Sequence, residues 1–198
     1  MDSIVATFES IMGTRDPYTV AHQQRVTQIS LAIAKEMGLE PKGLTSLEIA
    51  ARMHDLGKIS VPMAILSKTA TLSVSEIDRV RRHPIVAFNI LKAFNYPVST
   101  FLTILQHHER INGTGYPFGL SGEDILLEAR ILAVADVVDS ISFHRPYRPS
   151  LGINNALNEL CQNKGTLYDQ SVVEAFNRLY FINRFGNFFT SEDFREAA

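Results

Sequence analysis

An all-α bundle is the fold class this chain predicts, and three observations predict it. Apolar residues recur at three- and four-residue steps along most of the length, helix-capping signals separate those stretches, and strand-like alternation is nearly absent. With 198 residues, 45% of them hydrophobic, 11 Gly and 8 Pro, the chain is of a size to bury one core, so residues 1–198 are read as a single domain.

The elements follow in order. Asp16-Pro17 is an N-cap followed by proline at the first helical position, and it opens a helix through "YTVAHQQRVTQISLAIAKEM" that stops at Gly38. Val26, Ile29, Ile33 and Met37 form its apolar stripe. A second helix covers "LTSLEIAARMHDLG". Ser73 and Glu76 have the spacing of a capping box for a third, which Pro84 should divide or kink. "VSTFLTILQHHE" makes a fourth and leads into a glycine-rich loop. A long helix follows in "ILLEARILAVADVVDSISF", then two shorter ones in "INNALNELC" and "QSVVEAFNRLYFI". The tail after Gly186 is weakly patterned. No repeat, low-complexity tract or Pro/Ser-rich linker marks an internal boundary.

Net charge is −2, so there is no general basic field to hold a DNA or RNA duplex or an anionic membrane. The apolar runs are broken by charge well before the roughly 18 residues of a membrane span. Cys161 is the single cysteine and cannot form an internal disulfide, which fits a reduced, cytoplasmic compartment. The composition is equally compatible with one module of a larger sensor protein.

The chemistry is concentrated in histidine and aspartate. Successive steps of 32 residues (22 to 54), 29 (54 to 83), 24 (83 to 107) and 28 (108 to Asp136) match a helix plus its connection, roughly 20 to 30 residues. Such steps place one polar position on each successive helix, which is how helix bundles assemble metal sites. Asp55 and Asp136 lie in apolar or small surroundings, where an ionised carboxylate is costly unless paired or bound to a cation. Imidazole and carboxylate donors without thiolate suit Fe, Mn, Co, Ni or Zn, and seven candidates suit two ions. Near a helix end, the adjacent His107 and His108 would serve one ion together.

The stretches "RDPYTVAHQQRV", "HDLGKISVP", "RRHP", "QHHERINGTGYP", "EARILAVADVVDS" and "RPYRP" closely resemble, in order, the HD-GYP family of metal-dependent phosphohydrolases. The resemblance covers roughly residues 14 to 180. It implies an HD-domain helical bundle with the metal site in its core. One ion would take His22, His54, Asp55 and Asp136, the second His83, His107 and His108, with Asp55 bridging. The ions would be two divalent transition metals, Fe or Mn first. Tyr18 stands where some members carry a third-metal glutamate, so two ions are expected. Asn112 and His144 stand where aspartate is common, and His144 is expected not to ligate.

The implied reaction is hydrolysis of a 3′,5′-phosphodiester in a cyclic dinucleotide, cyclic di-GMP first, to linear pGpG or GMP. Two metals suit it by activating a water and stabilising the attacking and leaving oxygens. Lys58 is assigned to the scissile phosphate or the departing oxygen; otherwise it complements a helix dipole. Asp139, one turn after Asp136, would orient a ligand or water. Arg145 and Arg148 around Tyr147 would read a phosphate or a guanine. Tyr116, beside Gly115, would stack a base or brace its loop. Arg79, Arg81 and Arg82 read as a solvated helix face. A receptor with little turnover and a phosphodiesterase for 3′,3′-cyclic GMP-AMP are the competing readings. A homodimer or contact with diguanylate cyclase domains is the partner the family implies.

Overall fold

The computed structural model describes residues 3–145 and 148–182. Ten α-helices run in chain order: α1 (Ser3–Arg15), α2 (Pro17–Glu36), α3 (Pro41–Met53), α4 (Met63–Leu66), α5 (Val74–Arg81), α6 (His83–Leu91), α7 (Val98–Gln106), α8 (Leu127–Ser142), α9 (Ile153–Gln162) and α10 (Gln170–Phe181). Extended pairing among these residues is confined to isolated bridges, so the expected all-α class holds. The weakly patterned tail after Gly186 lies outside the described residues.

Local chemistry sets most boundaries. Asp16 caps α2 by accepting from the Thr19 amide at 3.2 Å and its hydroxyl at 2.5 Å, and Pro17 occupies the first turn, where no amide donor is needed. Gly38 ends it at φ 74°, a conformation open to glycine without strain. The Ser73–Glu76 capping box is formed at the start of α5. Pro84 divides rather than kinks the next stretch, giving α5 and α6. Helix α1 went unassigned in sequence, because its buried residues, Val5 and Met12, are two turns apart and too few to make a stripe.

Two apolar clusters hold the bundle. Val26, Ile29 and Ile33 of α2 pack with Leu47 of α3, Leu132 and Val138 of α8 and Phe176 of α10. Val5 and Met12 of α1 pack with Met53, Leu56, Leu91 and Ile104 in the other. Each fully buried aliphatic side chain contributes about 1.5–3 kcal/mol. Helix α2 lies against both α3 and α8, so its buried face, which includes His22, runs from Thr19 to Ala34.

One sequence reading needs correction. The helix expected to run through "LTSLEIAARMHDLG" stops at Met53, and a 3₁₀ turn follows at Leu56–Ser60. Gly57 explains the break. A Cβ at that position would sit 1.9 Å from the His83 carbonyl oxygen and 2.8 Å from the Ala87 amide, so the turn abuts the backbone of α6 directly. Arg15 at the end of α1 secures the turn from the other side by donating to the carbonyls of Ile59 and Val61. Gly57→Ala should force this contact apart and cost about 1–3 kcal/mol in thermal unfolding. A variant as stable as the parent would refute this account of the turn.

Candidate metal centre

Five elements supply the seven donors. His22 lies on α2, His54 and Asp55 follow the last turn of α3, and His83 is the first residue of α6. His107 and His108 follow α7, and Asp136 sits in the middle of α8. The bundle brings all seven together in the interior. One ligand atom from each of His83, His107 and His108 lies within 4.8 Å of the others, as is true of His22, His54 and Asp136, and of His54, Asp55 and His107. Asp55 spans the groups: Oδ2 is 3.6 Å from His22 Nε2 and 3.7 Å from His54 Nε2, and Oδ1 is 3.4 Å from His83 Nε2.

The end of α7 explains the adjacent histidines. Both lie in the turn that follows Gln106, His107 with helical dihedrals, and their rings come together with centroids 4.0 Å apart. On a continuing helix they would diverge by about 100°.

Hydrogen bonding fixes which ring nitrogen faces the centre. Nδ1 of His54, His83 and His107 lies 2.7, 2.8 and 2.7 Å from the carbonyls of Ala51, Val80 and Ile104, and a carbonyl only accepts, so these nitrogens donate. His22 Nδ1 is 2.6 Å from Asp139 Oδ2, and Arg25 Nε donates to Asp139 Oδ1 at 2.5 Å. Arg25 was not singled out in sequence, yet it clamps the carboxylate that orients His22. The Nε2 lone pairs are left pointing inward. His83 Nε2 and His107 Nε2 face one another at 3.4 Å, and buried His54 Nε2 has no hydrogen-bond partner. Two facing acceptors and an orphaned third are unfavourable unless a cation lies among them, so the donor set fits divalent metal.

The protonation states of four of the five histidines agree. Burial, reinforced by the neighbouring imidazoles, pushes His107 and His108 well below the usual histidine range, and burial holds His83 down at about 4 and lowers His54. These rings are neutral, as ligands must be. Burial also pushes His22 down, but the carboxylates of Asp139 and Asp136 outweigh it and raise the ring to about 9. Burial pushes Asp55 up, but Lys58 and the surrounding imidazoles outweigh it; Asp136 is likewise held well below the carboxylate range, mainly by His22.

A cleft of about 530 Å³ opens on this centre. It is lined by His83, His108, Tyr116, Lys58, Tyr18 and Arg145, with the connection around residues 65–72 as a further wall. Its size is that of a small-ligand site. Lys58 Nζ lies 2.6 Å from Asp55 Oδ2, reached through the 3₁₀ turn and not through a continuing α-helix. Tyr116 stacks on His108 at 4.6 Å between centroids, and its amide donates to the His108 carbonyl at 3.2 Å. The Tyr116-Pro117 peptide is cis. Gly115 is required by contact, since a Cβ there would lie 2.4 Å from Glu109 Cα. Glu109, unmarked in sequence, is buried and accepts from the amides of Phe118 at 2.7 Å and Leu120 at 3.0 Å, pinning the glycine-rich loop.

The "RPYRP" stretch divides. Arg145 lines the cleft, whereas Arg148 donates to the Ser140 carbonyl at the end of α8 and is not among the lining residues. Tyr147 lies outside the described residues. His144 is exposed and belongs to none of the ligand groups.

The shifts define a pH dependence for the metal-free protein. His83 stays neutral when folded but takes a proton near pH 6.5 when unfolded, so stability falls from pH 6.5 down to about 4, with His54, His107 and His108 acting in the same direction. His22, raised to about 9, contributes stability that is complete below pH 6.5 and lost as pH rises through 9. Thermal unfolding of chelated protein should therefore peak near pH 6.5; a melting temperature still rising from pH 6.5 to pH 5 would contradict these assignments.

A family model described as an HD domain matches residues 6–172. The cyclic di-GMP phosphodiesterase response regulator RpfG of Xanthomonas campestris is 38% identical over 166 residues, covering 83% of this chain and 44% of that protein. The 3′3′-cGAMP-specific phosphodiesterase 3 of Vibrio cholerae is 35% identical over 182 residues, covering 90% and 39%. The chain thus spans less than half the length of these relatives. Among solved structures, the cyclic GMP-AMP specific phosphodiesterase V-cGAP3 of V. cholerae matches with TM-score 0.58 at 29% identity, over 90% of this chain and 40% of that one. The Listeria monocytogenes PgpH HD domain in complex with cyclic-di-AMP matches with TM-score 0.67 at 14% identity, over 92% and 97%, and speaks for the fold alone. On its fold, its paired His54-Asp55 and the match over most of its length, the chain belongs to the HD domain family.

Proposed function

We propose that this chain is a metal-dependent phosphodiesterase that hydrolyses a 3′,5′-phosphodiester bond of cyclic di-GMP, giving linear pGpG or GMP. The observation that carries the reading is the convergence of five imidazoles and two carboxylates beside a cleft that His83 and His108 line together with Lys58. His22, His54 and Asp136 would hold one divalent ion, His83, His107 and His108 the other, with Asp55 shared. The donor set of imidazole and carboxylate without thiolate suits Fe, Mn, Ni, Co or Zn, Cys161 being exposed elsewhere, and the family resemblance puts Fe or Mn first. When bound, the ions supply an acidified water and Lewis-acid stabilisation of the phosphoryl oxygens.

The chain's own groups do the rest. Lys58 lies at the edge of the carboxylate-imidazole cluster, where its ammonium binds the scissile phosphate and protonates the departing oxygen. Asp139 holds the proton on His22 Nδ1, so Nε2 is the nitrogen that would give up its proton and meet metal. Arg145 meets the ligand from the cleft wall. A cytoplasmic location fits a nucleotide substrate, and among the described residues no helix is long and apolar enough to cross a membrane. The names of the V. cholerae relatives favour 3′,3′-cyclic GMP-AMP as the second substrate to test.

Protein purified under anaerobic conditions should contain about two metal ions per chain and convert cyclic di-GMP to pGpG or GMP on chromatography. Two ions with no turnover of either dinucleotide would instead favour a receptor. Asp55→Ala should lose both metal and turnover. Lys58→Met should keep its metal and lose about 10²–10³ in kcat. His144→Ala should change neither quantity, and a missing ion in that variant would overturn its exclusion from the ligand set.

A further inference from the structure

The sequence reads Arg79, Arg81 and Arg82 alike as a solvated helix face, but the structure separates Arg81 from the others. Its guanidinium carbon lies 5.3 Å from the centroid of the Tyr116 ring, which stacks on His108. The last residue of α5, the glycine-rich loop and the end of α7 thereby join in one column of imidazole, phenol and guanidinium. The inner end belongs to the metal-ligand set. The outer end lies beside the cleft, whose lining includes Val80, His83 and Tyr116.

Arg81 is exposed and, among the described residues, makes no hydrogen bond or ion pair. The two cleft lysines differ from it: Lys58 is paired with Asp55, and Lys68 with Glu76 at 2.8 Å. Arg81 is therefore held by contact with an aromatic ring, and its N–H donors are left for a ligand. A planar guanidinium stacks on nucleobases and presents two parallel donors. Guanine answers with two acceptors, O6 and N7, whereas adenine places an amino donor at the first of these positions. With Tyr116 already covered by His108 and approached by Arg81, the base meets the guanidinium and not the phenol.

We propose that Arg81 is a specificity-determining residue that binds a guanine base of the cyclic dinucleotide and selects it over adenine. The inference rests on the proposed cyclic-dinucleotide reading, and its test is built so that the two fail separately. Equilibrium titrations of cyclic di-GMP and cyclic di-AMP on chelated protein, alongside kcat/KM on metal-loaded protein, should be made for the parent, Arg81→Ala, Arg81→Lys and the control Arg79→Ala. Arg81→Ala should weaken cyclic di-GMP about 10- to 100-fold in both binding and KM, with unchanged metal content, and should narrow the preference over cyclic di-AMP. Arg81→Lys, which keeps the charge without the fork, should restore little of that preference, and Arg79→Ala should resemble the parent. Tyr116→Ala should reproduce the Arg81→Ala effect, and the double variant should add nothing further.

Equal weakening of both dinucleotides would overturn the proposal by making Arg81 a general anion contact, and so would unchanged preference. Selective loss of cyclic di-GMP binding in Arg81→Ala, with a parent that binds the dinucleotide but hydrolyses nothing, would uphold Arg81 as the base reader while removing the phosphodiesterase.

Discussion

Several neutral imidazoles and two ionised carboxylates buried together constitute the arrangement on which the rest of this structure depends. Alone, such a group is poorly stable: acceptor nitrogens face each other, and carboxylates lose their hydration. A surrounding layer fixes each ring, and the ring nitrogens that face inward are placed to receive a divalent cation. His54, His83 and His107 each lean on a carbonyl three residues earlier in the chain, so the helix ends that carry them also set their tautomers. His22 has no such carbonyl and uses Asp139 instead, which needs Arg25 in turn.

This arrangement accounts for the interruptions in the helices. A donor on an unbroken helix points at one place, but here the rings converge because α3 stops before the His54-Asp55 pair, α6 begins at His83 and α7 ends before His107. The 3₁₀ turn after Asp55 returns Lys58 to the same carboxylate and seats Gly57 against α6. Close backbone contact thus replaces side-chain packing at the point where two helices must present ligands within a few ångströms of each other. The glycine-rich loop repeats the device, with Gly115 pressed onto Glu109 while that carboxylate ties down the loop's far end.

Much of the site was legible because a metal centre demands particular residue types, and a bundle spaces them at one helix per step. The all-α class, the caps at Asp16 and Ser73 and the break at Pro84 were legible for local reasons, since each depends on a side chain and the few amides beside it. Arg25, Glu109 and Arg81 were not. Each is a charged residue whose sequence neighbours resemble those of any solvated helix or loop, and its role depends on a partner far along the chain or on a ring in another element. Helix α1 was missed for a related reason: two buried residues on one side carry little periodic signal.

The sequence by itself determined the class of fold, the place of the main helices and the supply of histidines and aspartates that gather in the interior, because periodicity, caps and residue chemistry act over a few neighbours. Tertiary structure alone decided which nitrogen of His22, His54, His83 and His107 faces inward, and that Arg145 faces the cleft while Arg148 turns to the end of α8. Those outcomes depend on distances between elements separated by many residues, and such distances are set only when the apolar stripes of α2, α3 and α8 pack together.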